Sequence, residues 1–195
     1  MNTDSDSDPG RDREKSAPGR LSHLEKSTSG KKSSDGLRSV MVDISAKTPT
    51  TRRALARVRM RFPPGRLQGV LEGAGPKGPI EEVARSAGFL AAKRTAELIP
   101  MCHPLLLDHL EMDLIRIEEN VLEIRFGVRT RRGTGVEMEA LVGAALSALT
   151  VYDMTKALDK GIRIESLELL EKSGGKSGTW RGPEASGERA DPQAD

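Results

Sequence analysis

The stretch YDMTK places a carboxylate, Asp153, three residues before an amine, Lys156. On a helix that spacing puts both on one face. On a solvated face the pair would contribute only about 0.2–0.5 kcal/mol. Residues 135–158 are so rich in Ala and Leu, however, that most of a helix there must be covered. A charged pair on a covered helix is costly unless it lines a cavity, where Asp153 could tune Lys156 into an acid or base that works near neutral pH. Three other stretches carry candidates. In GTGVEMEAL, Glu137 stands three residues after Thr134 and completes a capping box. Met138 could be core, and Glu139 has no capping duty. In MCHP, His103 lies between a helix stop and a proline, either aimed at an anion or capping the preceding carbonyls. In GPKGP, Lys77 precedes a helix N-terminus, where its amine either meets an anion or is simply exposed.

The stretch LLEKSGGKSGTW, residues 169–180, raises the question of a phosphate loop. A Walker motif would need Gly five residues before Gly175, and that position is Leu170. No helical pattern follows. What remains is a run of glycines that can turn backbone amides toward one anion, with Lys172 and Lys176 adding charge; the alternative is a flexible chain end.

Several elements must position these groups. Residues 53–62 alternate Ala54, Ala56, Val58, Met60 and Phe62 against Arg53, Arg57, Arg59 and Arg61, a half-buried strand. A short helix follows over 67–72. Residues 79–99 predict one long helix, with Pro79 and two glutamates at its start, Pro100 at its end, and an apolar stripe of Ile80, Val83, Ala84, Ala87, Leu90, Ala91 and Leu98. Strands over 109–118 and 121–129 flank a tight turn at Glu119 and Asn120. A second long helix spans 135–158. A last strand spans 162–171, with a bulge between Ile164 and Leu167 where the apolar phase slips. The order β-α-β-β-α-β predicts an α+β fold of ferredoxin-like type, an antiparallel sheet with helices on one face. The opposite face should be partly apolar, and a homo-oligomer should cover it. Glu139 and Asp153 are fourteen residues apart on one helix, about 21 Å of rise. They cannot serve one bond of one small molecule. Either the ligand is extended, or one subunit's Glu139 completes a site with its neighbour's Asp153.

Composition narrows the function. Of 195 residues, 31 are basic and 29 acidic, so the net charge of +2 makes no field that would favour nucleic acid or an acidic membrane. Residues 1–38 hold eight basic and seven acidic side chains and almost no large apolar ones, and 179–195 are similarly polar; both read as disordered, leaving a domain over 39–178. No apolar run approaches the ~18 residues of a membrane helix, and no signal peptide is evident. The single Cys102 excludes an intrachain disulfide and any cysteine-pair metal site. A cytoplasmic home is the default.

The segments MVDISAK, AAKRTAELIPMCHPL, TGVEMEAL, ALTVYDMTKA and KSGGKSG, in that order from Met41 to Gly178, resemble the cyclic pyranopterin monophosphate synthase family of molybdenum cofactor biosynthesis. The resemblance implies a lyase that rearranges a cyclised GTP, 3′,8-cyclo-7,8-dihydro-GTP, to cyclic pyranopterin monophosphate with loss of diphosphate. It implies a ferredoxin-like hexamer, a trimer of dimers, with the active site at a dimer interface. Carried over, Asp153, Lys156 and Lys77 are catalytic, and Met101, Cys102, His103, Met138 and Glu139 line the substrate site. Lys172, Lys176 and Arg52 would meet the triphosphate. No metal site or cofactor is expected beyond Mg²⁺ that the triphosphate itself could bring. The substrate would come from the radical enzyme that cyclises GTP, with no nucleic acid or membrane involved. Two departures are Pro79, where the family often has an acidic residue, and the N-terminal extension. The rival reading is a ferredoxin-like RNA- or nucleotide-binding module without catalysis, which would need stacking aromatics on central strands. Only Phe126 falls on the hairpin.

Overall fold

A computed structural model describes residues 39–72 and 77–183. The expected disordered segment 1–38 lies outside the described residues, and so does most of 179–195. The described residues from Val40 onward form one compact unit. Its elements are β1 (Thr50–Arg61), α1 (Leu67–Leu71), α2 (Ile80–Lys93), α3 (Thr95–Leu98), β2 (His109–Glu118), β3 (Val121–Arg132), α4 (Glu137–Thr155), β4 (Arg163–Ser173) and β5 (Trp180–Arg181). The strands form one antiparallel sheet in the order β2-β3-β1-β4-β5. The α+β class and the antiparallel sheet agree with the sequence reading.

Alternation in β1 decides the layers. Ala54, Ala56, Val58 and Met60 are buried, joined by Phe126, Ile124 and Leu122 of β3 and Met112 of β2. Over this face lie Ile80 and Ala84 of α2 and Ala140, Ala144, Ala148 and Val151 of α4. The β2–β3 turn sits at Glu119 and Asn120, as expected, since Glu118 pairs with Val121. In β4 the expected bulge falls at Glu165, which the register with β1 skips, and Leu170 is skipped as well.

The stripe expected on residues 79–99 is corrected. Val83, Leu90 and Leu98 are exposed, and the buried residues of α2 are Ile80, Ala84, Gly88, Ala91 and Ala92. The reason is space. A Cβ on Gly88 would lie 2.2 Å from Ser147 Oγ and 2.7 Å from Phe126 Cε2, and one on Gly143 would lie 2.4 Å from Phe126 Cε1. The two helices pinch the Phe126 ring between glycines, and no branched side chain fits there. The single helix is also broken. Arg94 leaves helical geometry at φ −108°, ψ 16°, and the buried Thr95 hydroxyl donates to Ala92 O at 2.9 Å. That bond competes with the continuing backbone ladder.

The capping box is absent too. Helix α4 starts at Glu137 with Val136 as N-cap and no side-chain cap, and it ends at Thr155 rather than 158. Val136 is 1% exposed, so its burial directs the chain into the helix, and the Glu137 carboxylate folds back over Gly135.

The helix-free face of the sheet, expected to be apolar in part, carries an ionic cluster. Glu123, 0% exposed, lies 2.7 Å from Arg125 Nε, 3.0 Å from Arg59 Nε and 3.9 Å from Arg57 Nη1, and Arg57 also reaches Glu168 at 2.8 Å. Exposed apolar side chains include Val83, Leu90 and Leu149 on the helices and Ile164 and Leu167 on β4. A final correction concerns the chain after 178: Trp180 and Arg181 extend the sheet by pairing with Lys172 and Glu171.

Candidate active site

Asp153 lies in the last turn of α4 and accepts from two amines. Lys156 Nζ is 2.7 Å from Oδ1, and Lys77 Nζ is 2.7 Å from Oδ2. The bond from Lys156, then that from Lys77, holds the carboxyl down at about 2 from its ordinary 3.8. The same bond and charge raise the Lys156 amine above its ordinary 10.5. Lys77 reaches α4 because Gly78, at φ 105°, turns the chain just before α2. Sequence reasoning paired Asp153 with Lys156; the bridge from Lys77, distant in the chain, had no local signal. The expected burial is absent in the protomer: the three side chains are 50–53% exposed. An exposed amine bound to a carboxylate keeps its proton, so Lys156 is poised here as a donor rather than a base.

At the other end of α4, Glu139 is 4% exposed. Burial pushes its carboxyl up, against the hydrogen bond of its own amide, and Glu137 adds to the rise. Cys102 is near enough that the Glu139 charge, after burial, raises its thiol. Glu139 borders a cavity of about 290 Å³ with Thr95, Glu97, Pro104 and Leu106. Met138, next to it in the chain, is 37% exposed, and Met101 is 47% exposed. His103 neither caps a helix nor stands free: its Nε2 lies 2.8 Å from Val42 O. That contact holds the segment MVDIS over the MCH loop. Asp43 is lowered there chiefly by the amide and hydroxyl of Ser45, with a smaller effect of His103. Asp43 was missed as a single candidate, although its motif was noticed.

The third group gathers where the start of β1 lies beside the end of β4. Arg52 Nη2 donates to Gly133 O at 3.2 Å, and its guanidinium lies against Gly175, where a Cβ would come within 2.2 Å of Nη1. Arg52 Nε is buried without a hydrogen-bond partner. Lys172 Nζ donates to Gly178 O at 3.2 Å and to the Ser177 hydroxyl. Lys176 is exposed on the loop. Thus Arg52 and the lysine loop do come together, across β1 and β4, as do Lys77, Asp153 and Lys156. Glu139 and Asp153 remain at opposite ends of one helix. A separate cavity of about 260 Å³ on the helix-free face, bordered by Arg53, His109, Glu111 and Arg129, contains none of the candidates. Among the described residues no cluster of three or more His, Cys, Asp or Glu side chains could hold a metal ion, and no helix is long and apolar enough to cross a membrane.

The MoaC family model matches residues 41–175. The chain belongs to the MoaC family. A cyclic pyranopterin monophosphate synthase from Thermomicrobium roseum is 54% identical over 142 residues, which make up 72% of this chain and 86% of that protein. The MoaC match begins at the segment that meets His103 and contains all the candidates named above except Lys176, which lies one residue past its end.

Proposed function

We propose that this chain converts 3′,8-cyclo-7,8-dihydro-GTP to cyclic pyranopterin monophosphate with release of diphosphate, a lyase step of molybdenum cofactor biosynthesis. The MoaC-family match and the named relative support the activity. The observation that carries the residue roles is one carboxylate bridging two amines, Lys77 and Lys156, at 2.7 Å each. Closing the cyclic phosphate expels diphosphate, and a protonated lysine can donate to the departing or ring-opening atoms. Asp153 orients both amines. Arg52, Lys172 and Lys176 form the cationic loop for the triphosphate, and charge there would stabilise the leaving diphosphate. Met101, Cys102, His103, Met138 and Glu139 line the substrate site. No resident cofactor is called for; Mg²⁺ would arrive with the triphosphate.

Glu139 and Asp153 lie about 21 Å apart along α4, so the pocket is shared: one protomer's Asp153 end faces its neighbour's Glu139 end. A homohexamer built as a trimer of dimers would supply such seams. The support is α4 itself, which is apolar on its outward side as well, with Leu149 50% exposed. A helix apolar all round is one that something covers. A seam would also strip water from Lys77 and Lys156. The ferredoxin-like assignment rests on the strand order β2-β3-β1-β4 with its two crossover helices. The setting is taken as cytoplasmic, and the supplier as the radical enzyme that makes the cyclised GTP. The RNA-binding alternative loses its only hairpin aromatic, because Phe126 is 0% exposed beneath the helices.

The test is incubation of the purified protein with the cyclised GTP. Appearance of the pyranopterin and of one diphosphate per turnover is expected. Binding without either product would leave the nucleotide-binding reading instead.

A further inference from the structure

The loop after β4 is tied down on both sides. Three of its glycines have positive φ: Gly174 at 96°, Gly175 at 71° and Gly178 at 61°. On one side it presses on β1: a Cβ on Gly174 would sit 2.1 Å from Thr51 O, and one on Gly175 2.2 Å from Arg52 Nη1. On the other side β5 turns back on β4, pairing Trp180 with Lys172 and Arg181 with Glu171. Gly182 N donates to Leu170 O at 2.8 Å, and Arg181 Nε reaches Glu171 Oε2 at 3.1 Å. The loop's own Gly178 O and Ser177 hydroxyl then accept from Lys172.

We propose that β5 is a clasp, with Arg181 a positioning residue, that holds the Gly174–Gly178 loop in the shape that receives polyphosphate. This rests on the reading of Lys172 and Lys176 given above. Glycine loses more backbone freedom on ordering than any other residue, so a loop with three glycines at positive φ needs external ties to stay shaped. A loop ordered beforehand spares the ligand that ordering cost and binds more tightly. The clasp lies past residue 175, where the MoaC match ends, so the family pattern does not account for it. It touches no reacting atom, and its signature is in binding.

The test compares KM and kcat for the cyclised GTP with amide hydrogen exchange over residues 174–178. Arg181→Glu sets two carboxylates face to face, and Gly182→Pro deletes the N–H that bonds Leu170 O. Each should raise KM roughly two- to fivefold, the range an exposed ion pair supports, with kcat unchanged and loop exchange faster. Arg181→Lys keeps the charge and should stay near wild type. Wild-type KM and exchange in both disruptive variants would overturn the clasp. Lys176→Ala, which leaves the Lys172 bonds to Gly178 O and Ser177 intact, separates the two ideas. If it leaves KM unchanged, the phosphate role of the loop falls; if it raises KM while the clasp variants do not, only the clasp falls.

Discussion

Replacing Asp153 by Asn keeps the side chain's size and removes the charge that two amines share. In the native protein the carboxyl titrates at about 2, so it is ionised throughout the neutral range, and it holds the Lys156 proton above the ordinary 10.5. An amide cannot accept from both amines with full charge. Lys156 and Lys77 would repel, and their nitrogens would leave the 2.7 Å positions. If the pair carries the proton transfers, turnover should fall by about 10²–10⁴-fold, the usual contribution of a placed acid or base. The Lys156 proton would also be held less tightly, so the alkaline limb of the residual rate should move to lower pH. The bridge is half-exposed and solvent-screened, so the melting temperature at neutral pH should barely change. A carboxyl with a lowered pKa stabilises the fold above its ordinary value and loses that contribution as pH falls from 3.8 toward about 2. The variant should therefore lose slightly less stability than wild type across that acid window. The assay is diphosphate release against pH, paired with thermal melts. A near-wild-type rate with an unmoved alkaline limb would refute the role, and a rate loss that tracks a large melting shift would assign Asp153 to structure.

Other perturbations reach the remaining parts. Gly88→Ala puts a methyl 2.2 Å from Ser147 Oγ and 3.0 Å from Gly143 O; overpacking of about 1–3 kcal/mol should outweigh the ~1 kcal/mol helix gain and lower the urea midpoint. Glu139→Gln should stabilise the fold once pH rises past 4.5, because burial raises this carboxyl and penalises its ionised form; equal stability of the two proteins across that range would contradict the burial effect. The same variant should lose turnover if Glu139 faces substrate. Leu149→Glu, on the outward side of α4, should convert the proposed oligomer to smaller species in light scattering while leaving the protomer's circular dichroism intact. An unchanged assembly would place the seam elsewhere.

Much of the arrangement was legible in the chain itself. Period-two alternation over 53–62 and 121–129, the Glu119–Asn120 turn, and the proline stop at 100 are local signals, each set by backbone geometry within a few residues. They were enough to order the strands and long helices, and the spaced motifs were enough to name the family. What the chain could not show was which faces meet. Large apolar residues on α2 looked like core, but the gap over Phe126 leaves no room for a Cβ at Gly88 or Gly143, a fact of helix separation rather than of composition. The helix-free sheet face looked apolar in part, but the register sets Arg57, Arg59 and Arg125 around a buried Glu123. Lys77 looked like a turn residue until the fold brought it 76 positions along the chain to Asp153. The sequence by itself determined the elements, because their signals are short-range. Only the tertiary structure decided the pairings, because a contact between distant residues depends on how whole elements pack.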